Sequence, residues 1–291
     1  MMLDGPDFLC VGMHKGGTRW LFDQLQHHPD FWMPPLKELH YFDRGTGAGK
    51  NARQVLNYER GFSDRKKTQR NTGREWDQRD FDFLEEMAAA RGSDPDLERY
   101  ARMFAQRGSL LSGDITPHYC SLDEELVVQI MARFPELRVL LLVRDPVKRA
   151  WSHIGDMDRP GRFDRRLLTN PAEFRSFLHE SKKIGQLSYP SRAHRMWSKH
   201  TPSEQYRFLF LDDVSTKAEE TRGEVLVFLG ADPAKPSGDL PANYNSKAQS
   251  PKLEMPEPIK EVLVEYFSEE LRACAEIFQG HAVEWARSYN V

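Results

Sequence analysis

The sequence predicts an α/β fold of three layers, in which helices cover both faces of a central parallel sheet. Apolar runs that begin at Phe8, Val139 and Tyr206 are each followed by a stretch with helical spacing. Strands buried on both faces read as continuous apolar runs, and strands that alternate with helices form parallel sheets. The length of 291 residues suits one large domain. We therefore predict a single domain over 1–291 with a charged helical insertion at about 44–108.

The first element is a strand, a glycine loop and the first turn of a helix within residues 8–21. Glycines let the backbone approach a ligand closely, and the N–H groups that open a helix lie at the positive end of its dipole. The segment also carries an ammonium, a hydroxyl and a guanidinium group, which are donors that suit phosphate. We predict a phosphate cradle for a nucleotide, formed by Lys15, Gly16, Gly17, Thr18 and Arg19.

The position of Lys15 distinguishes this loop from that of the ATPases. The motif G-x-x-x-x-G-K-[ST] places its lysine after the last glycine, whereas Lys15 precedes both glycines of the pair. A Mg-nucleotide geometry is therefore not implied. The alternative for the segment is an ordinary glycine-rich turn between a strand and a helix.

The next segment with chemical potential is Pro-Leu-Lys-Glu-Leu-His-Tyr-Phe-Asp at 35–43. In an extended chain alternate side chains share a face, so we expect Glu38 and His40 to point one way and Lys37 the other. A carboxylate and an imidazole on one face suit general base chemistry. The alternative is a solvated loop with an incidental charge pair.

The chain then becomes polar and rich in charge between Arg44 and Arg107. Helices are predicted at 80–91 and 94–107, the second with Asp94 as its N-cap. This insertion gates the acceptor site or holds the acceptor, or it is a solvated connector at the surface. The basic residues that could hold an acceptor are Arg65, Lys66, Lys67 and Arg70.

A second buried strand is predicted at 139–143. Asp145 is a suitable N-cap and Pro146 a suitable first helical residue, so a helix is expected to begin there. Arg144 then lies at the carboxyl end of the strand, the edge at which open α/β sheets bind ligands, and Ser152 lies about two turns into the helix. The alternative for Arg144 is a surface ion pair with Asp145 or Asp158.

The remaining chain continues the alternation of helices and strands. A helix that ends at Gly230 has a suitable glycine C-cap. The predicted elements are helices at 171–184, 189–200, 214–229, 257–267 and 269–278 and a strand at 206–212.

Together these segments resemble the sulfotransferases that use 3′-phosphoadenosine 5′-phosphosulfate (PAPS). The loop at 12–19 resembles the 5′-phosphosulfate loop of the heparan sulfate glucosaminyl 3-O-sulfotransferases, and Trp20 resembles a residue of the cytosolic aryl sulfotransferases. The run at 140–153 resembles the family's 3′-phosphate segment, which implies that Arg144 and Ser152 hold that phosphate. The resemblance also implies a P-loop-like form of the three-layer fold.

The resemblance extends to further segments with less specific matches. The segment at 35–43 resembles the Lys-Glu-x-His-x-Phe segment of the glycosaminoglycan enzymes, whose glutamate is the proposed catalytic base. By the same resemblance Lys247, with Ser246 second, is a candidate for a cofactor contact from a polar loop, and Tyr189 for the adenosine site. A flexible surface loop is the equal alternative for the former pair.

The segment at 113–119 resembles the family's Glu-Lys-x-Pro-x-Tyr segment with one departure. Ile115 stands at the family's lysine position, which argues against a uronic-acid polymer as the acceptor. Thr116 and Tyr119 either line the acceptor cleft or are core residues.

The resemblance implies in-line transfer of a sulfuryl group from PAPS to a hydroxyl of a carbohydrate or small-molecule acceptor, which leaves adenosine 3′,5′-bisphosphate. Glu38 is the expected base, His40 positions the acceptor or substitutes as base, and Lys15 stabilises charge on the departing oxygen. No metal is expected. The alternatives are a phosphotransferase that uses Mg-ATP and a non-catalytic nucleotide-binding protein of the same fold.

Composition narrows the setting. The formal net charge is −3, from 41 basic and 44 acidic residues, so no global basic field favours nucleic acid. Cys10, Cys120 and Cys274 are far apart and odd in number, which predicts reduced core residues. No signal peptide or membrane span is visible, and we expect a cytoplasmic protein, plausibly bacterial.

Overall fold

The computed structural model describes residues 5–44, 46–61, 75–90, 94–181, 184–185, 187–236, 238, 240–244 and 253–291. Within these residues four parallel strands form one sheet in the order β2-β1-β3-β4. Cys10 lies opposite Ile115 on one side and Leu140 on the other. The strands are β1 (Phe8–Gly12), β2 (Gly113–Ile115), β3 (Arg138–Val143) and β4 (Tyr206–Phe210).

Helices connect the strands and cover the sheet. The helices before β3 are α1 (Thr18–Gln26), α2 (Tyr41–Arg44), α3 (Thr46–Gly61), α4 (Gln78–Ala88), α5 (Leu97–Phe104) and α6 (Glu124–Arg133). Those after it are α7 (Pro146–Asp158), α8 (Pro171–Glu180), α9 (Pro190–His200), α10 (Leu211–Thr216), α11 (Ala218–Leu229), α12 (Glu257–Tyr266), α13 (Ser268–Phe278) and α14 (His281–Ser288). Short 3₁₀ turns lie at Ala105–Arg107, Pro117–Ser121, Arg165–Thr169 and Ser203–Gln205.

The sheet has a hydrophobic core on each face, which confirms the predicted three layers. Alternate residues of a strand point to opposite faces. Leu9 and Leu141 accordingly belong to the larger core, whereas Cys10 and Leu140 belong to the smaller one. All four side chains are fully buried. Both sides of the sheet are therefore covered.

The local signals set several helix ends as predicted. The Asp145 carboxylate accepts hydrogen bonds from the backbone N–H groups of Val147 and Lys148, and Pro146 opens α7. Gly230 ends α11 with φ 84°, a left-handed conformation that favours glycine. The cap at Asp145 fixes where Arg144 leaves the sheet and where Ser152 lies on α7.

Other predicted boundaries were wrong. The helix expected at 214–229 is two helices, α10 and α11, because Lys217 between them has a non-helical backbone with φ −143°. The strand before them ends at Phe210 rather than at 212. Asp96, not Asp94, caps α5, since its carboxylate accepts from the N–H of Arg99. The remaining corrections are small: α4 begins earlier and ends earlier than predicted, and α8 ends at Glu180.

The charged insertion is more than a solvated connector. Its described helices contribute fully buried side chains to the larger core, among them Ala52, Phe83, Tyr100 and Phe104. The basic residues Arg65, Lys66, Lys67 and Arg70 lie outside the described residues. Part of the insertion is therefore integral to the fold.

The three cysteines are buried and free, as predicted. Burial raises the pKa of Cys10 and of Cys120 to about 12, so both remain protonated thiols near neutral pH. No helix in the described ranges has both the length and the apolar character to cross a membrane.

Candidate functional site

The predicted cradle forms where β1 and β3 end side by side. The backbone N–H of Met13 donates to the Leu142 carbonyl over 2.8 Å, and the N–H of Gly16 donates to the Met13 carbonyl over 2.8 Å. A Cβ at Gly16 would lie 2.6 Å from the Leu142 carbonyl oxygen, so only glycine fits there. Gly17 has φ 104° and opens α1. The main chain thus holds the loop against the edge of the sheet.

Two arginines fix the loop from the α7 side. Nη1 of Arg144 donates to the Lys15 carbonyl over 2.8 Å, and Nε of Arg149 donates to the His14 carbonyl over 3.0 Å. Arg149 is fully buried, and burial lowers its pKa to about 10. Arg144 is thus a support of the loop, and it makes neither of the ion pairs considered as its alternative role among the described residues.

A cleft of about 690 Å³ opens above this loop. Sites for small ligands have volumes of this order. Most of the predicted contacts line the cleft together, namely Lys15, Gly17, Thr18, Arg19, Trp20, Glu38, Arg144 and Ser152. Further lining residues that the sequence reasoning missed include His14, Lys37, Asp156 and Asn243. The structure therefore gathers the two phosphate segments and the 35–43 segment around one space.

The charges of the cleft are mixed, with an excess of basic groups. Nζ of Lys15 contacts the Asp156 carboxylate, one turn along α7 from Ser152. Nε of Arg19 lies 2.8 Å from the Asp23 carboxylate. Trp20 is buried, and its indole N–H donates to the Ala242 carbonyl over 2.6 Å. The cleft can attract an anion, although Asp156 competes for the ammonium of Lys15.

Lys37 faces the site, contrary to the expectation that it points away from Glu38. Its Nζ lies 3.3 Å from Oε1 of Glu38 and 3.4 Å from Oγ1 of Thr18. The prediction was wrong because residues 35–37 form a bend rather than an extended strand. Burial lowers the pKa of Lys37, against the opposing effect of Glu38.

Glu38, His40 and Asp43 form a connected hydrogen-bonding group beside the cleft. Nε2 of His40 lies 3.3 Å from Oε2 of Glu38, and its Nδ1 lies 2.8 Å from Oδ2 of Asp43. Burial opposes ionisation of Glu38, but the hydrogen bond from His40 and the charge of Lys37 outweigh it and lower the pKa to about 2. Burial disfavours the cation of His40, yet its bonds to Asp43 and Glu38 raise its pKa.

The segment that carries these residues is held by side chains of the 113–119 region. Oγ1 of Thr116 accepts from the N–H of Leu39 over 3.0 Å, and the Tyr119 hydroxyl accepts from the N–H of Tyr41 over 3.0 Å. Both hydroxyls in turn donate to Asp114. Thr116 and Tyr119 are fully buried, so the structure gives them the core role rather than the cleft-lining one.

Four imidazoles lie in a row along this side of the cleft, which the sequence reasoning missed. The ring of His14 lies 5.1 Å from that of His153 and 5.6 Å from that of His118, which is 4.9 Å from that of His40. Burial and the charge of Arg149 lower the pKa of His14 to about 3. Burial and the charge of His40 also lower the pKa of His118. In chain order the four histidines are 26, 78 and 35 residues apart, so no local pattern signals the row.

Tyr189, Lys247 and Ser246 are the weaker candidates from the sequence. Tyr189 packs its ring against Phe267, 6.0 Å between centroids, and is not among the residues that line the cleft. Lys247 and Ser246 lie outside the described residues.

The comparisons with known proteins agree with this architecture. Residues 6–232 match a family model described as the sulfotransferase family. A sulfotransferase of Alicyclobacillus acidocaldarius superposes with a TM-score of 0.60 at 17% identity, over 96% of this chain and 98% of that one. The sulfotransferase domain of the curacin biosynthetic pathway gives 0.54 at 12% identity, over 96% and 99% of the two chains. The corresponding domain of the Synechococcus PCC 7002 olefin synthase gives 0.51 at 14% identity, over 92% and 96%. No curated protein gives a significant match.

Proposed function

Since the chain belongs to the sulfotransferase family, we propose that it transfers the sulfuryl group of PAPS to a hydroxyl of a small-molecule or carbohydrate acceptor. The observation that carries the proposal is that Lys15, Arg144, Ser152 and Glu38 line one cleft. The first three suit an anionic donor and the last suits proton removal. The finer likeness to the heparan sulfate enzymes remains a prediction.

The cofactor half of the cleft would hold PAPS through backbone and cationic groups. The start of α1 supplies N–H groups at the positive end of a helix dipole, with the Thr18 hydroxyl beside them. Lys15 supplies the charge nearest the bond that breaks. Arg144 and Ser152 would take the phosphate at the other end, as the family resemblance implies.

The acceptor half would supply the base. The acceptor oxygen attacks the sulfur as the bond from sulfur to the 5′-phosphate oxygen breaks, and the electron pair of that bond remains on the phosphate. Glu38 takes the proton of the acceptor hydroxyl. Its low pKa keeps it ionised near neutral pH, while Lys37 and His40 hold its two oxygens in place. Lys15 stabilises the charge that develops on the leaving oxygen.

The charge of Glu38 also affects which acceptors can bind. The acceptor oxygen has to approach the Glu38 carboxylate, so an anionic group next to that oxygen would meet a like charge. A neutral hydroxyl of a sugar or of a small natural product meets no such barrier. We therefore infer a neutral acceptor.

Calorimetry with the purified chain tests the donor. We expect tight binding of adenosine 3′,5′-bisphosphate without magnesium and weak binding of Mg-ATP. The reverse preference would instead support a phosphotransferase and would overturn the proposal.

Labelled-sulfate transfer tests whether the chain is an enzyme. The chain is incubated with PAPS labelled in its sulfate and with a panel of neutral sugars, phenols and other alcohols. We expect at least one labelled product. Binding of the bisphosphate with no transfer to any member and no release of sulfate to water would support a non-catalytic nucleotide-binding protein.

A further inference from the structure

Three groups that commonly bind metal ions converge beside the cleft. Glu38, His40 and His118 each offer one ligand atom, and these atoms all lie within 4.8 Å of one another. Oε2 of Glu38 is 3.3 Å from Nε2 of His40 and 3.9 Å from Nδ1 of His118. A tetrahedral Zn²⁺ with bonds of about 2.0–2.1 Å holds neighbouring ligand atoms about 3.3 Å apart. The first pair already has that spacing, whereas His118 has to move closer to its two partners.

Asp43 orients His40 as an outer carboxylate orients a metal-binding histidine. Oδ2 of Asp43 lies 2.8 Å from Nδ1 of His40, which leaves Nε2 directed at Glu38. Histidines that bind metals usually donate the other ring N–H to a carboxylate or carbonyl, which fixes the ring and makes it a better ligand. The Asp43 contact thus supplies an outer shell for the three groups.

His118 brings an unsatisfied nitrogen to the same point. Its Nδ1 is buried and makes no hydrogen bond within the part of the chain that the structure describes. It lies 3.9 Å from Oε2 of Glu38. Buried polar atoms without partners are unusual in native proteins. A metal ion between these three atoms would satisfy it.

Lys37 sets the limits of the site. Its Nζ lies 3.3 Å from Oε1 of Glu38, so it occupies one carboxylate oxygen and leaves Oε2 for the ion. The ammonium also repels any metal ion that binds Glu38, so an ion is held only if its bonds to the two imidazoles outweigh this repulsion. Transition-metal ions bind imidazole strongly, whereas Mg²⁺ and Ca²⁺ prefer oxygen ligands.

We propose that Glu38, His40 and His118 bind a divalent transition-metal ion, Zn²⁺ foremost, with water in the fourth position. Two imidazoles and one carboxylate form a known zinc ligand set. His40 releases any proton on Nε2 to solvent when the ion binds. The ion occupies the carboxylate that the proposed function assigns as base, so we expect Zn²⁺ to inhibit transfer. That consequence rests on the proposed function, whereas the binding does not.

Cobalt substitution tests the site without any acceptor. The full chain, freed of metal by a chelator that is then removed, is titrated with Co²⁺ alone and followed by visible absorption. We expect one Co²⁺ per chain with the intense bands of a four-coordinate ion, and their loss when Zn²⁺ is added, because Zn²⁺ binds such sites more tightly. A wild-type chain without those bands would overturn the proposal.

Matched variants locate the ion. His118→Ala should weaken Co²⁺ binding by about 100-fold or more, and Asp43→Asn should weaken it by about 10-fold or more, within the range for outer partners. His153→Ala removes a histidine of the same row whose ring lies against His14, and it should leave binding unchanged. Thermal unfolding shows that each variant is folded. Equal binding by His118→Ala and the wild type, or equal loss in both histidine variants, would overturn the proposal.

Discussion

The cofactor half and the acceptor half of the cleft are built in different ways. In the cofactor half, the main chain itself forms the loop, since the N–H of Met13 and that of Gly16 find carbonyl partners at the sheet edge. In the acceptor half, the segment around Glu38 is neither helix nor strand, and its backbone N–H groups donate to the hydroxyls of Thr116 and Tyr119. The loop is held mainly by main-chain hydrogen bonds, with Arg144 and Arg149 donating to its carbonyls, whereas the Glu38 segment is held by side chains of the 113–119 region.

Because the two halves are built differently, binding of the donor and turnover of the acceptor should respond to different substitutions. A backbone cradle can hold an anionic donor whatever the acceptor is, because its donors are N–H groups of the loop and helix. The acceptor half places a carboxylate among partners that can be changed singly. Substitutions in the two halves should therefore have distinct signatures, and the following variants test this from the largest expected effect to the smallest.

Glu38→Gln should have the largest effect on turnover. The amide cannot take the acceptor proton, so we expect the rate of labelled-sulfate transfer to fall by about 10²–10⁴-fold, the usual contribution of a general base. The affinity for adenosine 3′,5′-bisphosphate should not change. The rate is measured with an acceptor found in the panel, and the affinity by calorimetry.

Glu124→Gln is the matched control. Glu124 is half exposed and pairs with Lys199 at the surface, so its loss should leave both quantities unchanged. Near wild-type turnover of Glu38→Gln would show that His40 or solvent takes the proton, and the acceptor half would lose its assigned role.

Lys15→Met should have the second largest effect, and it should act on both quantities. We expect a rate loss of about 10²–10³-fold, as for removal of one group that stabilises a developing oxyanion. The bisphosphate should also bind more weakly, because the methionine keeps the volume but not the charge. Lys199→Met is the control at the surface. A loss of rate with unchanged affinity would mean that Lys15 acts only during transfer.

The cofactor half could be predicted from the sequence because its residues stand next to their own strands. Lys15 follows β1 and Arg144 follows β3, and parallel strands bring their carboxyl ends together. The two apolar runs and the cap at Asp145 were enough to place them. The errors of the prediction in this part of the chain lie at the ends of helices and of one strand.

The acceptor half could be predicted only in part. Glu38 and His40 were found, because two residues apart they stay close in almost any irregular segment. The inward turn of Lys37 and the arrival of His118 depend on how 113–119 packs beneath 37–41, which no local pattern encodes. Hydrogen bonds between segments about 77 residues apart set this geometry.

Asp114 is the deepest support of the acceptor half, and its pH dependence should be measurable. It is fully buried, and burial raises its pKa from 3.8 to about 6 against the hydrogen bonds from Thr116, Tyr119 and Tyr100. A carboxyl whose pKa rises on folding holds its proton longer in the folded state. Its favourable contribution is present below pH 3.8 and is lost as pH rises through about 6.

The prediction is a difference between two proteins. Relative to Asp114→Asn, the wild type should lose about 2 kcal/mol of unfolding free energy between pH 4 and pH 7. Urea unfolding of both proteins at several pH values measures this difference. The contributions of all other titrating groups are common to the two proteins and cancel. A constant difference would show that the three hydroxyl donors keep Asp114 ionised in both states.

Asp156 lies at the boundary of the two halves and should show the smallest effect. Its carboxylate contacts Lys15 and repels an incoming phosphate, so Asp156→Asn should tighten binding of the bisphosphate by about threefold to tenfold, as expected for a partly solvated charge pair. Asp158 lies on the same helix as Asp156 and pairs with Arg165, so Asp158→Asn should not change the affinity for the bisphosphate. Weaker binding by Asp156→Asn would show that the carboxylate positions the ammonium more than it repels the ligand. The cofactor half would then use a carboxylate to position its ammonium, as the acceptor half uses Asp43 and His40 around Glu38, and the contrast between the two halves would narrow.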